Sequence, residues 1–143
     1  MNTIISATTG AAYGAPAGAS KSGKFFSSAD ELLRRAHAEQ AQGHGDLALE
    51  YAYRAALRVA GAVCAESPVV RKRKRLPSSA WEKLALTGES GTAWARRLSA
   101  YSAMRGRVAS GIQPAPDPDT VEAFLAVVED FYAASQPGIT LVA

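Results

Sequence analysis

The sequence predicts an all-α protein, an up-and-down helical bundle of four to five helices behind a disordered N-terminal tail. Three observations carry that expectation. Apolar residues recur at spacings of 3 and 4 through Val121, Phe124, Leu125, Val128 and Tyr132, the period of one helical face. The stretch from Asp46 to Ala65 carries alanines on more than one face, which suits a helix with neighbours on both sides. Helix-opening signals stand ahead of periodic segments at Ser28-Ala29-Asp30-Glu31, Ser79-Ala80-Trp81-Glu82 and Asp117-Pro118. No segment requires a strand.

In chain order, residues 1–24 are rich in Gly, Ala, Ser and Thr, hold no acid and show no sustained period. Such a segment cannot offset its ordering entropy by burial, so it reads as a flexible tail that the fold can do without. The capping box at Ser28 starts the first helix, with Leu32, Leu33, Ala36, Gln40 and Ala41 inward and Arg34, Arg35 and Glu39 outward. Gln42-Gly43-His44-Gly45 ends it, and Asp46 caps the second helix, making the two antiparallel neighbours. Along that second, central helix Leu47, Tyr51, Ala55, Val59 and Val63 form one stripe, while Tyr53, Arg54 and Arg58 mark the wettest face. Cys64 reads as a small buried apolar residue.

Glu66-Ser67-Pro68 stops this helix, and Arg71-Lys72-Arg73-Lys74-Arg75 reads as a loop of uncompensated charge. The box at Ser79 opens a short helix to about Leu86 with Trp81, Leu84 and Ala85 inward. A fourth helix runs from Thr92 to about Ser110, with Trp94, Leu98, Tyr101 and Val108 inside and Arg96, Arg97, Arg105 and Arg107 outside. The helix opened by Asp117-Pro118 ends at Gln136-Pro137-Gly138. The domain is thus expected over residues 25–135, with a short apolar tail over 136–143.

The whole chain has 143 residues, room for one domain with a core and too little for two ordinary ones. Apolar residues make up 48% and charged residues 20%, the composition of globular proteins. One cysteine allows no internal disulfide, and no ligand pattern suggests a metal or another cofactor, so a reducing cytoplasmic setting is expected. No run is long and apolar enough to predict a signal peptide or a membrane span. The net charge of +3 hides a segregation. Arg71 to Arg107 holds ten Lys/Arg against two acids, whereas Val108 onward holds five acids and no Lys or Arg. A basic segment of this kind can hold a polyanion, dock on an acidic face or serve as a solvated surface.

Chemistry for catalysis is sparse. The two histidines, His37 and His44, have no clustered carboxylates or assisted nucleophile beside them in sequence. The alanine-rich segment Tyr53 to Val63, the hinge Arg71 to Arg75 and the Pro77-Ser78-Ser79-Ala80-Trp81-Glu82 helix start together resemble an actinobacterial branch of the HEPN family, the higher-eukaryote and prokaryote nucleotide-binding helical domains. The resemblance covers roughly residues 25–135. It implies an up-and-down bundle, frequent homodimerisation and, in many members, metal-independent RNA cleavage by an Arg-x(4–6)-His motif. No arginine here is followed by a histidine at that spacing, so no catalytic residue carries over.

The resulting expectation is a non-catalytic, dimeric HEPN-like domain. It would bind RNA, another polyanion or a protein partner through Arg71, Lys72, Arg73, Lys74 and Arg75 together with Arg96 and Arg97. Two alternatives stand beside it. One is an RNA-cleaving toxin with a degenerate site built from Arg34 or Arg35 with His37. The other is a structural interaction module whose basic and acidic ends pair between protomers.

Overall fold

The structure, a computed structural model, describes residues 20–137. Its regular elements are all helical: α1 Lys21–Ala41, α2 Gly45–Glu66, α3 Pro68–Lys72, α4 Ala80–Ala85, α5 Glu89–Ser99, α6 Ser102–Ala109 and α7 Pro118–Ala134. The all-α class holds, with more helical segments than expected because the hinge forms a short helix and the fourth helix is broken. Of the tails expected over residues 1–24 and 136–143, residues 1–19 and 138–143 lie outside the described residues.

The first helix begins earlier than its capping box suggested. Ser20 is the N-cap, its hydroxyl accepting from the Gly23 amide at 3.0 Å, and Ser28 sits within the helix. Tertiary contacts override the local signal here, as they commonly do for helix ends. Phe26 meets Tyr132 edge to face at 5.9 Å, and the buried Ser22 donates to the Glu66 carboxylate at 2.6 Å. Residues 21–24, assigned to a dispensable tail by composition, are therefore the first turn of α1. At the other end Gly43 takes a φ of 80°, a left-handed conformation that glycine adopts without penalty, and the His44 amide reaches back to the Glu39 carbonyl at 2.9 Å. His44, rather than Asp46, occupies the N-cap of α2 and makes no side-chain cap bond. Asp46 lies in the first turn, where its charge still complements the positive end of the helix.

Helix α2 is the centre of the bundle and packs against α1, α3, α4, α6 and α7. Contacts along the interfaces fix direction. Ser22 meets Glu66 and Ser28 meets Arg58, so α1 and α2 are antiparallel. Phe26 with Tyr132 and His37 with Glu129 make α1 antiparallel to α7. Trp94 with Phe131 and Tyr101 with Phe124 do the same for α5 and its continuation against α7. The bundle is thus up-and-down, and Asp117 caps α7 as expected, its carboxylate accepting from the Thr120 amide at 2.8 Å.

The inward surface of α2 follows the expected stripe only in part: Ala55 and Val59 are buried as expected. Alanines do much of the packing: Ala48, Ala52, Ala55, Ala56, Ala60 and Ala62 are buried, whereas Leu47 is exposed and Tyr51 and Val63 are half-buried. Tyr53, read as part of the wettest face, is buried between Trp81 and Phe124. Its hydroxyl accepts the Trp81 indole N–H at 3.0 Å, which satisfies both buried polar atoms. Arg54 and Arg58 are exposed as expected, while Ala41 of α1 is exposed rather than inward. On α7, Phe131 is fully buried and Tyr132 only partly, because the stripe follows the close α5 contact through Trp94.

The expected fourth helix starts three residues earlier, at Glu89, and breaks at Ala100 and Tyr101. The break accompanies two tertiary contacts: Tyr101 lies 4.3 Å from the Phe124 ring, and Arg105 turns onto Glu50 of α2. Arg105, expected outside, is consequently half-buried.

The Trp81–Tyr53 bond ties α4, and with it the far end of the hinge, to the central helix. Tyr53→Phe should leave the indole N–H without a partner and lower stability by about 1–3 kcal/mol, seen as a reduced urea midpoint at unchanged slope. An unchanged midpoint would show that the indole finds another acceptor.

Candidate functional site

Local chemistry builds the hinge in two parts. Ser67-Pro68, read as a stop, is equally a start: the Ser67 hydroxyl accepts from the Val70 amide at 3.3 Å and Pro68 holds the first helical position. Arg71 and Lys72 therefore form the last turn of α3, and only Arg73 to Arg75 belong to irregular chain. The expected loop is half helix. Buried Val70 anchors it, and Arg73 Nε donates to the Arg75 carbonyl at 3.2 Å. Ser79 then caps α4 as expected, accepting from the Glu82 amide at 3.4 Å. All five hinge cations are exposed, and so are Val69 and Leu76 at either end.

Antiparallel pairing of α1 and α2 brings the start of α1 beside the end of α2 and the hinge. Two adjoining cavities open there. The larger, about 520 Å³, is lined on its charged side by Lys21, Arg71, Arg73 and Lys83, with Phe25, Leu57, Ala60, Cys64, Val70 and Leu76 as its apolar floor and walls. The smaller, about 310 Å³, is lined by Lys21, Lys24, Phe25, Ser28 and Arg58. Together they form a groove whose lining contains no acid. Gly61 lets its wall form, because a Cβ there would come within 2.8 Å of the Phe25 ring.

Ion pairing divides the bundle. Arg34 reaches Asp30 at 2.5 Å and Glu31 at 2.6 Å, Arg35 also reaches Glu31, and Glu50 receives both Arg54 and Arg105 at 2.8 Å. Hydrogen bonds from Arg34 and then Arg35 hold the Glu31 carboxyl below its ordinary range. The bond from Arg105 does the same for Glu50 against the opposing effect of burial. Among the described residues, Lys21, Lys24, Arg58, Arg71, Arg73 and Lys83 of the groove have no carboxylate partner. Arg58 donates to the Ser28 hydroxyl at 3.2 Å.

The residues expected from sequence are only partly brought together. Arg71 and Arg73 line the groove, while Lys72, Lys74 and Arg75 are exposed on the same segment outside its lining. Arg96 and Arg97 stand in the last turn of α5 and do not line it, and Arg97 lies over the Trp94 ring at 4.7 Å. Sequence reasoning missed Lys21, Lys24, Phe25, Arg58 and Lys83. The one signal for the first two is the acid-free composition ahead of residue 30, which by itself reads as a tail.

The alternative pair is committed elsewhere. Arg34 is held by two carboxylates, and His37 Nε2 lies 2.6 Å from Glu129, tying α1 to α7. Burial pushes the Cys64 thiol up, which keeps it protonated and a weak nucleophile. A third cavity, about 760 Å³, lies at the same end of the bundle between Phe26, Val63, Leu84 and Trp94, and its lining has no Lys or Arg. Among the described residues no group of three or more His, Cys, Asp or Glu could hold a metal ion, and no helix is long and apolar enough to cross a membrane.

An all-α up-and-down bundle with a cationic hinge between its central helix and a Trp-anchored short helix is the class that this architecture defines. Within that class, the family model for SAV_6107-like HEPN matches residues 38–136, and the chain belongs to the HEPN family. The matched span takes in the hinge, α4 and the helices after it, and leaves Lys21, Lys24 and Phe25 outside. No curated protein and no solved structure matches the chain.

Glu50 gives the paired half of the molecule a pH signature. Its carboxyl is depressed in the folded state, so its contribution is complete above the ordinary glutamate value of roughly 4.3 and is lost as pH falls through the lower folded value. Glu50→Gln should therefore cost about 1–2 kcal/mol at pH 7, the lower part of the range for charged hydrogen bonds because Arg105 is partly solvated. Thermal melts of the two proteins should converge once pH falls below the depressed folded value of Glu50.

Proposed function

We propose that this HEPN domain is a non-catalytic module that binds RNA or another polyanion, with the groove between α1, α2 and the hinge as its binding surface. The observation that carries the reading is the set of six cations, Lys21, Lys24, Arg58, Arg71, Arg73 and Lys83, around a lining without an acid. Like charges gathered on one surface repel one another, and a phosphate chain relieves that repulsion while releasing its own counterions. Lys72, Lys74 and Arg75 extend the field along the hinge. Arg96 and Arg97, included in the expected site, are secondary in this reading because they stand apart from the groove.

The non-catalytic part rests on the missing Arg-x(4–6)-His spacing and on the carboxylate partners of Arg34 and His37. A ribonuclease needs a cation free to stabilise the charge that develops on phosphate, and Arg34 and Arg35 are both already paired with carboxylates. The homodimer implied by the family belongs to the same reading, and light scattering on the eluting protein measures it directly.

The test is the salt dependence of binding to a labelled single-stranded RNA in metal-free buffer. Removing three groove charges with Arg71→Ser, Arg73→Ser and Lys83→Ser should flatten the slope of log affinity against log salt by about 2, at about 0.7 per phosphate contact. Arg34→Ser with Arg35→Ser should leave that slope unchanged, since their charges are already compensated. The RNA should emerge intact. An unaltered slope in the groove variant would remove the groove from the binding surface, and metal-free cleavage abolished by His37→Ala would put the degenerate nuclease first.

A further inference from the structure

The two cavities of the groove share one aromatic side chain. Phe25 lines both, and so does Lys21. Arg71, Arg73 and Lys83 surround the larger cavity, whereas Lys24 and Arg58 lie at the smaller. The ring is half-buried, and among the described residues it is paired with no other aromatic, unlike Phe26, which meets Tyr132. A half-exposed ring between two groups of unpaired cations, above a floor of Leu57, Ala60 and Val70, offers apolar area and anion contacts alternately along one path.

We infer that the groove accepts a single nucleic-acid strand and excludes a duplex, with one base inserted into the larger cavity against Phe25 and the phosphates on either side of that base held by the two cation groups. This rests on the polyanion reading and names its substrate. A duplex presents phosphate and sugar outward and keeps its bases stacked inside. Laid on this groove, it would satisfy the cations but set its polar backbone over the apolar floor. A single strand can turn a base out, and stacking on an aromatic ring is tolerant of which base that is. The cavity volume of about 520 Å³ lies in the range of small-molecule sites, so a base with its sugar has room. An acidic peptide would match the charge but brings no flat ring at each repeat to meet Phe25.

Cys64 supplies a reporter, because it lines the larger cavity and is the chain's single cysteine. Four probes of equal charge distinguish the outcomes: a single-stranded oligoribonucleotide, the corresponding duplex, inorganic polyphosphate and polyglutamate. The full-length protein should bind the single strand at least tenfold more tightly than the other three, and only the single strand should slow maleimide labelling of Cys64. Phe25→Leu, which keeps apolar bulk without a π face, should weaken the single strand by roughly tenfold and leave polyphosphate binding unchanged, while Phe25→Trp retains wild-type affinity. Matching thermal melts of both variants exclude a folding defect. Equal affinity for single strand, duplex and polyphosphate, with no effect of Phe25→Leu, would overturn the inference and keep the polyanion reading. Preference for polyglutamate would overturn the inference in favour of an acidic protein partner. Failure of all four probes to bind would overturn both the inference and the reading beneath it.

Discussion

The close approach of α1 and α2 is the constraint on which the rest of the molecule depends. Small side chains make it possible: Ala29 and Ala36 of one helix and Ala48, Ala52, Ala55, Ala56 and Ala60 of the other belong to one continuous buried core. Alanine loses no side-chain entropy on burial and lets backbones come near enough for dispersion contacts to accumulate. At the open end the same closeness is kept by Gly61, against which Phe25 lies. Because the pairing is antiparallel, the first turn of α1 ends beside the last turns of α2, and the hinge that follows α2 must leave from that same corner. A basic groove arises there as a consequence of helix order.

Charge partition is the second consequence. Along the middle of α1 and at the open face of α2, arginines sit three or four residues from carboxylates and are neutralised within their own helix, as Arg34 is by Asp30 and Glu31 and Arg54 by Glu50. At the hinge corner that local arrangement is absent. Exposed pairs of this type contribute little to stability, so the paired half gains order more than free energy. The unpaired half keeps a positive field available to a ligand. Arg105 is the exception that joins the two levels: from α6, one turn past the break after α5, it crosses to Glu50 and closes the bundle at its far side.

Much of the fold was legible in the residues. Asp117-Pro118 and Ser79 announce helix starts because capping is a local hydrogen bond between a short side chain and an amide three residues on. Gly43 announces an end because only a residue without Cβ takes its conformation freely. Less legible were features that depend on a distant partner. Ser28 carries a good local box yet lies inside a helix, because Phe25, Phe26 and Ser22 find partners on α2 and α7. Tyr53 reads as a polar-face residue until Trp81, far along the chain, donates to its hydroxyl.

For the groove, adjacency along the chain is enough to read that the hinge is cationic, that no acid follows it at once and that the nuclease spacing is missing. Which cations share one surface was settled by the tertiary structure. It joined Lys21, Lys24 and Arg58 to Arg71, Arg73 and Lys83, set Phe25 among them and left Arg96 and Arg97 apart. The physical reason is range: a cap or a charge run is settled within a few residues, whereas a groove is made by side chains whose neighbours are chosen by how helices pack.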